Sequence, residues 1–246
     1  MDYNNIYAFI WCEFCFIFPI NQREFKAFFK SEELKWYLIA VFGAIAIIAV
    51  NIIPFNNGDV TRSIRDSAFQ VASVVTTTGY ATADFNLWPT LSKMIFVMLM
   101  FMGAMAGSTG GGIKTVRIVI IIKAIRREID KILHPRRVKS VKIDGNVVEE
   151  ETISGVFIFI FAYIVIALIA IFIISFDNFD VTTTVTSVIA TLSNIGPGLE
   201  MVGPTGNYAA FSDLSKIVLS FCMLAGRLEI YPMLILFSPS LWKKRY

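Results

Sequence analysis

The sequence predicts an all-α membrane protein built from two copies of one unit: a spanning helix, a shorter helix that ends at a glycine turn, and a second helix. Three observations carry that prediction. The composition is too apolar for an ordinary soluble domain, with 56% of the 246 residues hydrophobic, 22 Phe and a mean hydropathy of +0.66. Hydrophobic runs of spanning length alternate with shorter segments of mixed polarity. Each short segment runs into glycine, and the order of the elements recurs.

Taken in order, residues 6–20 are apolar but short, so residues 1–20 read as the remnant of a preceding transmembrane helix. Residues 21–35 form a linker carrying Arg23, Lys26, Lys30 and Lys35. Residues 36–55 then match the roughly 20 residues that a hydrocarbon core requires. Residues 61–75 predict a short helix, with Thr61 as its cap and Ile64, Ala68, Val71 and Val75 as its apolar face. The run 91–107 is apolar, is broken by glycine and resumes over 113–125, which completes a first unit at 36–133. In the second unit, 153–246, residues 153–176 span, 181–192 form the short Thr- and Val-rich helix, and 217–237 form the last helix, which contains Arg227 and Glu229. Ser92-Lys93 and Ser215-Lys216 hold equivalent places, each lysine followed ten residues later by a glycine, Gly103 or Gly226.

Charge sets the topology. Ten of the 22 Lys and Arg residues fall within 114–142, directly after a hydrophobic run. A positive-inside loop explains them better than a nucleic-acid surface does. With the basic groups at 23–35 and 243–245, this puts both termini and the loop 134–152 in the cytoplasm, with the glycine turns opening to the other side. Inside that loop, Asp144-Gly145 between 138–143 and 147–148 predicts a tight hairpin with a primed turn. His134, before Pro135, reads as a solvated helix end. Cys12 and Cys15 lack the βαβ context of a redox motif and pack among aromatics; Cys222 lies in an apolar helix. The start carries Asp2 and no basic region, so no secretory signal is expected. With one His, no metal-ligand cluster and no nucleophile–base pair, the chain reads as no enzyme.

Chemistry concentrates in Ser73-Val74-Val75-Thr76-Thr77-Thr78-Gly79-Tyr80. Hydroxyl residues leading into glycine suit a turn whose backbone carbonyls replace the water shell of a dehydrated potassium ion. Such backbone is tolerated at membrane depth only when it is buried in protein or lines a cavity. Glycine supplies the positive φ that turns a carbonyl inward. The second anomaly is Gly107-Ser108-Thr109-Gly110-Gly111-Gly112, four glycines and two hydroxyls that would unwind a helix. Lys114-Thr115 follow, but Ile113 separates Gly112 from Lys114, so a phosphate-binding loop is excluded. Arg227 inside an apolar span costs roughly 2.5–3.5 kcal/mol on insertion scales, so a buried position facing a pore or a partner is expected.

Residues 74–89, with Thr76-Thr77-Thr78-Gly79-Tyr80 and Trp88-Pro89, resemble the third pore segment of the Trk/Ktr/HKT superfamily of potassium uptake proteins. Residues 103–115 are similar to that family's broken inner helix, Ser193-Asn194-Ile195-Gly196-Pro197-Gly198 to its fourth pore segment, and Gly226-Arg227-Leu228-Glu229-Ile230-Tyr231-Pro232 to its last helix. The similarity runs from about residue 25 to the end and is nearest the bacterial Trk type. The family has four helix–pore-helix–helix repeats around one pore. Two are present here, so the resemblance implies half of a potassium-channel-like pore, to be completed by a missing N-terminal half or a second copy, with complete pores pairing as dimers. It also implies that potassium is the transported ion, without an organic cofactor, and that Thr76, Thr77, Thr78, Gly79, Ser193, Asn194, Ile195 and Gly196 supply the filter carbonyls. The loop Gly107–Gly112 would obstruct the path, with Arg227 approaching it. The implied setting is lipid in a bacterial inner membrane, with a cytoplasmic nucleotide-binding ring as regulatory partner and no nucleic acid. Two matters stay open: whether transport is channel-like or a symport coupled to sodium or protons, and whether the chain is a transport subunit or a truncated, non-transporting piece.

Overall fold

A computed structural model of the chain describes residues 31–108, 110–136 and 139–227. The expected N-terminal helix remnant, most of the linker, Cys12, Cys15, Thr109 and everything beyond Arg227, including Glu229, lie outside the described residues. Seven α-helices are described: α1 (Glu32–Ile52), α2 (Val60–Val75), α3 (Thr90–Phe101), α4 (Thr115–Leu133), α5 (Glu150–Ile174), α6 (Val181–Leu192) and α7 (Asp213–Arg227). A two-stranded hairpin, β1 (Lys142–Ile143) and β2 (Asn146–Val147), separates α4 from α5.

Among the described residues, α1 and α5 are the helices long and apolar enough to cross a membrane. At 1.5 Å per residue they reach about 31 and 37 Å. Helix α5 is apolar all round, yet it buries one stripe, Phe159, Tyr163, Ala167, Ala170 and Ile174. Phe157, Phe161, Leu168 and Phe172 point outward. That is the pattern of a helix with a protein side and a lipid side.

Three apolar cores are described, the smallest joining α4 to α5 through Ile120, Ala124, Ile153 and Val156. The first joins α1, α2 and α3 through Ile48, Ile52, Val71, Val75, Phe96 and Met100. The second joins α5, α6 and α7 through Tyr163, Ile174, Val188, Leu192, Leu219 and Cys222. These first two interlock: Ile189, Ile195 and Leu199 sit in the first core, and Ile113 sits in the second.

Several expected details are corrected. Asp59, not Thr61, caps α2, because its Oδ1 accepts the Arg62 N–H at 2.9 Å. The expected apolar face of α2 is partly wrong as well: Ile64 is exposed, while Ser63, Ser67 and Gln70 are buried. The reason is internal hydrogen bonding. Asn56 Nδ2 donates to Ser63 Oγ at 3.0 Å, Ser67 Oγ to the Ile64 carbonyl at 3.0 Å, and Gln70 Nε2 to the Ala83 carbonyl at 3.0 Å. Helix α3 ends at Phe101, inside the apolar run 91–107, and α4 continues past the apolar run 113–125 to Leu133. Charged residues prolong α4 by pairing across it, Lys123 with Glu32 and Arg127 with Glu150. The Asp144-Gly145 turn is as expected, with φ of 51° and 84° and Lys142 paired with Val147, the signature of a type I′ hairpin.

Candidate functional site

Helices α2 and α6 end in the same way. After α2, the Thr76 N–H bonds to the Ala72 carbonyl at 2.9 Å, Thr77 to Val74 at 3.1 Å, Thr78 to Ser73 at 2.9 Å and Gly79 to Ser73 at 3.3 Å. After α6, Ser193 bonds to Ile189 at 2.9 Å, Asn194 to Thr191 at 3.0 Å, Ile195 to Ala190 at 2.8 Å and Gly196 to Ala190 at 3.5 Å. Every donor and acceptor of the first set recurs at one fixed offset in the second. Each is a Schellman-type termination. Its left-handed residue is not glycine: Thr77 has φ 56° and Asn194 has φ 56°. Glycine follows two residues later, Gly79 at 77° and Gly196 at 102°. The sequence reading anticipated the glycines and missed Thr77 and Asn194. A β-branched residue at positive φ is a true outlier, and such strain gathers at functional sites.

The eight candidate residues therefore form two equivalent turns, and these turns touch. A Cβ on Gly79 would collide with the Ile195 carbonyl oxygen and lie 3.1 Å from Pro197 Cδ. In the first turn, hydroxyls are tied locally: Thr76 Oγ1 donates to the Ala72 carbonyl at 2.8 Å and lies 2.8 Å from Thr78 Oγ1, and Ser73 Oγ donates to the Tyr80 carbonyl at 2.6 Å. The second turn is held by its neighbours. Tyr163 OH lies 2.9 Å from Ser193 Oγ, Asn194 Nδ2 donates to the Met223 carbonyl at 2.7 Å, and Tyr208 OH donates to the Gly196 carbonyl at 2.7 Å. Both short helices aim their C-termini at this place. The negative ends of their dipoles, about half an elementary charge each, favour a cation there.

Between α3 and α4 the chain leaves the helix and is stitched at its neck. Gly103 N–H donates to the Ile113 carbonyl at 2.9 Å, Ile113 to Phe101 at 3.1 Å and Thr115 to Ala104 at 3.3 Å. The backbone groups freed by the break thus find partners inside the protein. Gly107 and Gly112 take φ of 87° and 77°. The loop lies against both turns: a Cβ on Gly110 would sit 3.3 Å from Thr77 Oγ1, and one on Gly111 would strike the Ser193 carbonyl and lie 3.0 Å from Asn194 Cβ. Ser108 Oγ is buried with no hydrogen-bond partner among the described residues.

Arg227 ends α7 and is exposed in this chain, where a buried position was expected. The residue before it is tightly placed, since a Cβ on Gly226 would strike the Leu192 carbonyl and lie 3.2 Å from Asn194 Nδ2. A polar clasp, unread from the sequence, also joins the two units. Asn86 Nδ2 donates to the Glu200 carbonyl at 2.9 Å and Asn86 Oδ1 accepts the Glu200 N–H at 2.9 Å. Lys93 Nζ reaches Glu200 Oε1 at 3.2 Å. Glu200 itself holds φ 54°.

Spanning helices, shorter helices packed between them and the paired turns give this chain the fold of a helical membrane transport protein. It belongs to the TrkH family, described as cation transport protein, whose model matches residues 6–244. The chain is 32% identical over 224 residues to the Trk system potassium uptake protein TrkH of Halomonas elongata, covering 91% of this chain and 46% of that relative. To the protein of the same description from Escherichia coli strain K12 it is 31% identical over 227 residues, covering 92% and 46%. The crystal structure of the potassium transporter TrkH from Vibrio parahaemolyticus superposes with a TM-score of 0.80 at 29% identity, covering 87% of this chain and 46% of that one. The chain therefore spans about half the length of the relatives it matches.

Proposed function

We propose that this chain forms half of a potassium-uptake pore. The observation that carries the proposal is the pair of turns at Thr76–Gly79 and Ser193–Gly196, built by the same four backbone hydrogen bonds and packed on each other. A pore with internal symmetry needs equivalent backbone presented from equivalent helices, with their cation-favouring ends converging. The carbonyls of Thr76, Thr77, Thr78, Gly79, Ser193, Asn194, Ile195 and Gly196 line the filter. Two further turns, from an N-terminal half or a second copy, close the ring. The membrane potential drives the ion inward with roughly 2.3 kcal/mol per charge per 100 mV.

The glycine loop, lying against Thr77, Ser193 and Asn194, is the gate. Arg227, one residue beyond Gly226, faces this loop in the completed pore and repels a cation beneath the filter. Both termini and the hairpin are cytoplasmic in a bacterial inner membrane. A nucleotide-binding ring docks on the hairpin side, and complete pores pair. The test is potassium-limited growth of an uptake-deficient bacterium expressing the chain alone and with an N-terminal half supplied. Rescue in the second case supports the half-pore. Insertion and assembly without rescue in either case would leave a non-transporting assembly piece.

A further inference from the structure

The glycine loop is held from outside its own unit's inner helices, by the first turn of α1. One carboxylate oxygen, Glu33 Oε1, accepts two backbone N–H groups: Ala106 at 2.7 Å and Val116 at 3.2 Å. Ala106 lies on the way into the loop, and Val116 lies in the first turn of α4 on the way out. Val116 N–H is one of the donors that a helix start leaves without an intrahelical partner, and a carboxylate suits that position both as acceptor and as charge. Glu33 thus closes the loop beyond the backbone stitch at Ala104 and Thr115.

The same turn of α1 is joined to the hairpin. Glu32 N–H donates to Asp144 Oδ1 at 2.7 Å, in the hairpin's own turn. The Glu32 carboxylate pairs with Lys123 of α4, whose Nζ also donates to the Lys142 carbonyl at 2.6 Å. Loop, α4 and hairpin therefore converge on two consecutive residues. We propose that Glu33 is the catch that keeps the glycine loop against the two turns, and that the hairpin reaches the loop through the first turn of α1. This rests on the reading of the loop as a gate. Glu33 is a positioning residue: it acts on the ion path only by holding backbone. A pull on the hairpin withdraws the first turn of α1 and releases Ala106.

The test uses the pore assembled with its other half, in a background without native cysteines. Ser108→Cys places a thiol at a site that is buried while the loop is latched. Its rate of modification by a small water-soluble thiol reagent is measured beside potassium flux. Glu33→Ala should raise the modification rate about tenfold, the size expected for losing a hydrogen bond to a charged group, and should raise flux. Glu33→Gln keeps an acceptor oxygen and should give about threefold, which separates a lost acceptor from a general loosening. Asp144→Ala should raise the rate in the same direction. A wild-type rate in Glu33→Ala, or in Glu33→Gln should the alanine variant fail to assemble, would overturn the catch. A wild-type rate in Asp144→Ala alone would overturn the hairpin route. Deleting Gly110 and Gly111 is the control for the gate: if that deletion leaves flux unchanged the gate reading fails, while thiol reactivity still decides whether Glu33 holds the loop.

Discussion

At the scale of single residues, Gly79 and Gly196 look equivalent by sequence but differ in their surroundings. Both have positive φ, yet a Cβ at Gly79 meets the Ile195 carbonyl and Pro197, whereas at Gly196 it meets nothing within 4 Å. Gly79→Ser must therefore push the two turns apart, and should lower potassium-over-sodium preference about tenfold or more in flux measurements on the assembled pore. Gly196→Ala carries only the backbone strain of about 1–2 kcal/mol and should change preference far less. Equal effects at the two positions would argue against contact between the turns as the determinant. Arg227 gives a second prediction. It follows Gly226, which packs against the Leu192 carbonyl at the base of the second turn. Arg227→Ala should raise potassium flux severalfold at equal surface level and leave the potassium-to-sodium ratio alone. Unchanged or lower flux in a folded mutant would reduce Arg227 to a structural ion pair.

At the scale of elements, the short helices were readable because each runs into a glycine turn, whereas their caps, Asp59 and Asp180, came from the structure. Their inner faces were not readable either. Helix α2 buries Ser63, Ser67 and Gln70 and exposes Ile64, the reverse of the soluble-protein rule, because in an apolar surround hydrogen-bonded polar groups belong inside. Helix α6 tests this level. Asp180 caps it, with its side chain accepting the Thr183 N–H at 2.9 Å. The hydrogen bonds from Thr183 hold the Asp180 carboxyl below its ordinary value of 3.8. A depressed folded value means that the stabilisation is present above that ordinary value and fades as pH falls through the lower folded one. Asp180→Ala should therefore lower unfolding stability in detergent by about 1 kcal/mol at pH 7, with the gap between mutant and wild type closing in acid. A gap that persists unchanged in acid would assign the loss to packing rather than to the charged cap.

At the scale of the whole molecule, the two units are joined by the touching turns, by the loop that lies against both, by the Asn86–Glu200–Lys93 clasp and by the packing of α4 on α5. Asn86 makes two hydrogen bonds to one residue's backbone and fills the space that a side chain on Gly203 would need. Asn86→Ala should cost about 0.5–1.5 kcal/mol through the two solvent-accessible hydrogen bonds it breaks and should reduce selectivity by loosening the alignment of the turns. Wild-type thermal stability and selectivity together would show the clasp to be incidental.

Local chemistry alone determined much of this protein. Runs of apolar length marked the spans, Asp144-Gly145 marked a primed turn, and the glycines of 79, 107, 112 and 196 marked backbone that could not stay helical. Those are properties of a residue and its chain neighbours, so they can be read along one dimension. Only the tertiary structure decided what meets what. It set Gly79 against Ile195, Gly110 and Gly111 against Thr77 and Ser193, Asn86 against Glu200, and Glu33 against Ala106 and Val116. It also decided that Thr77 carries left-handed strain, which no propensity predicts because surrounding contacts hold it there. A hydrogen bond acts over about 3 Å of space whatever the separation in sequence, and in this chain the contacts that assemble the site join residues dozens of positions apart.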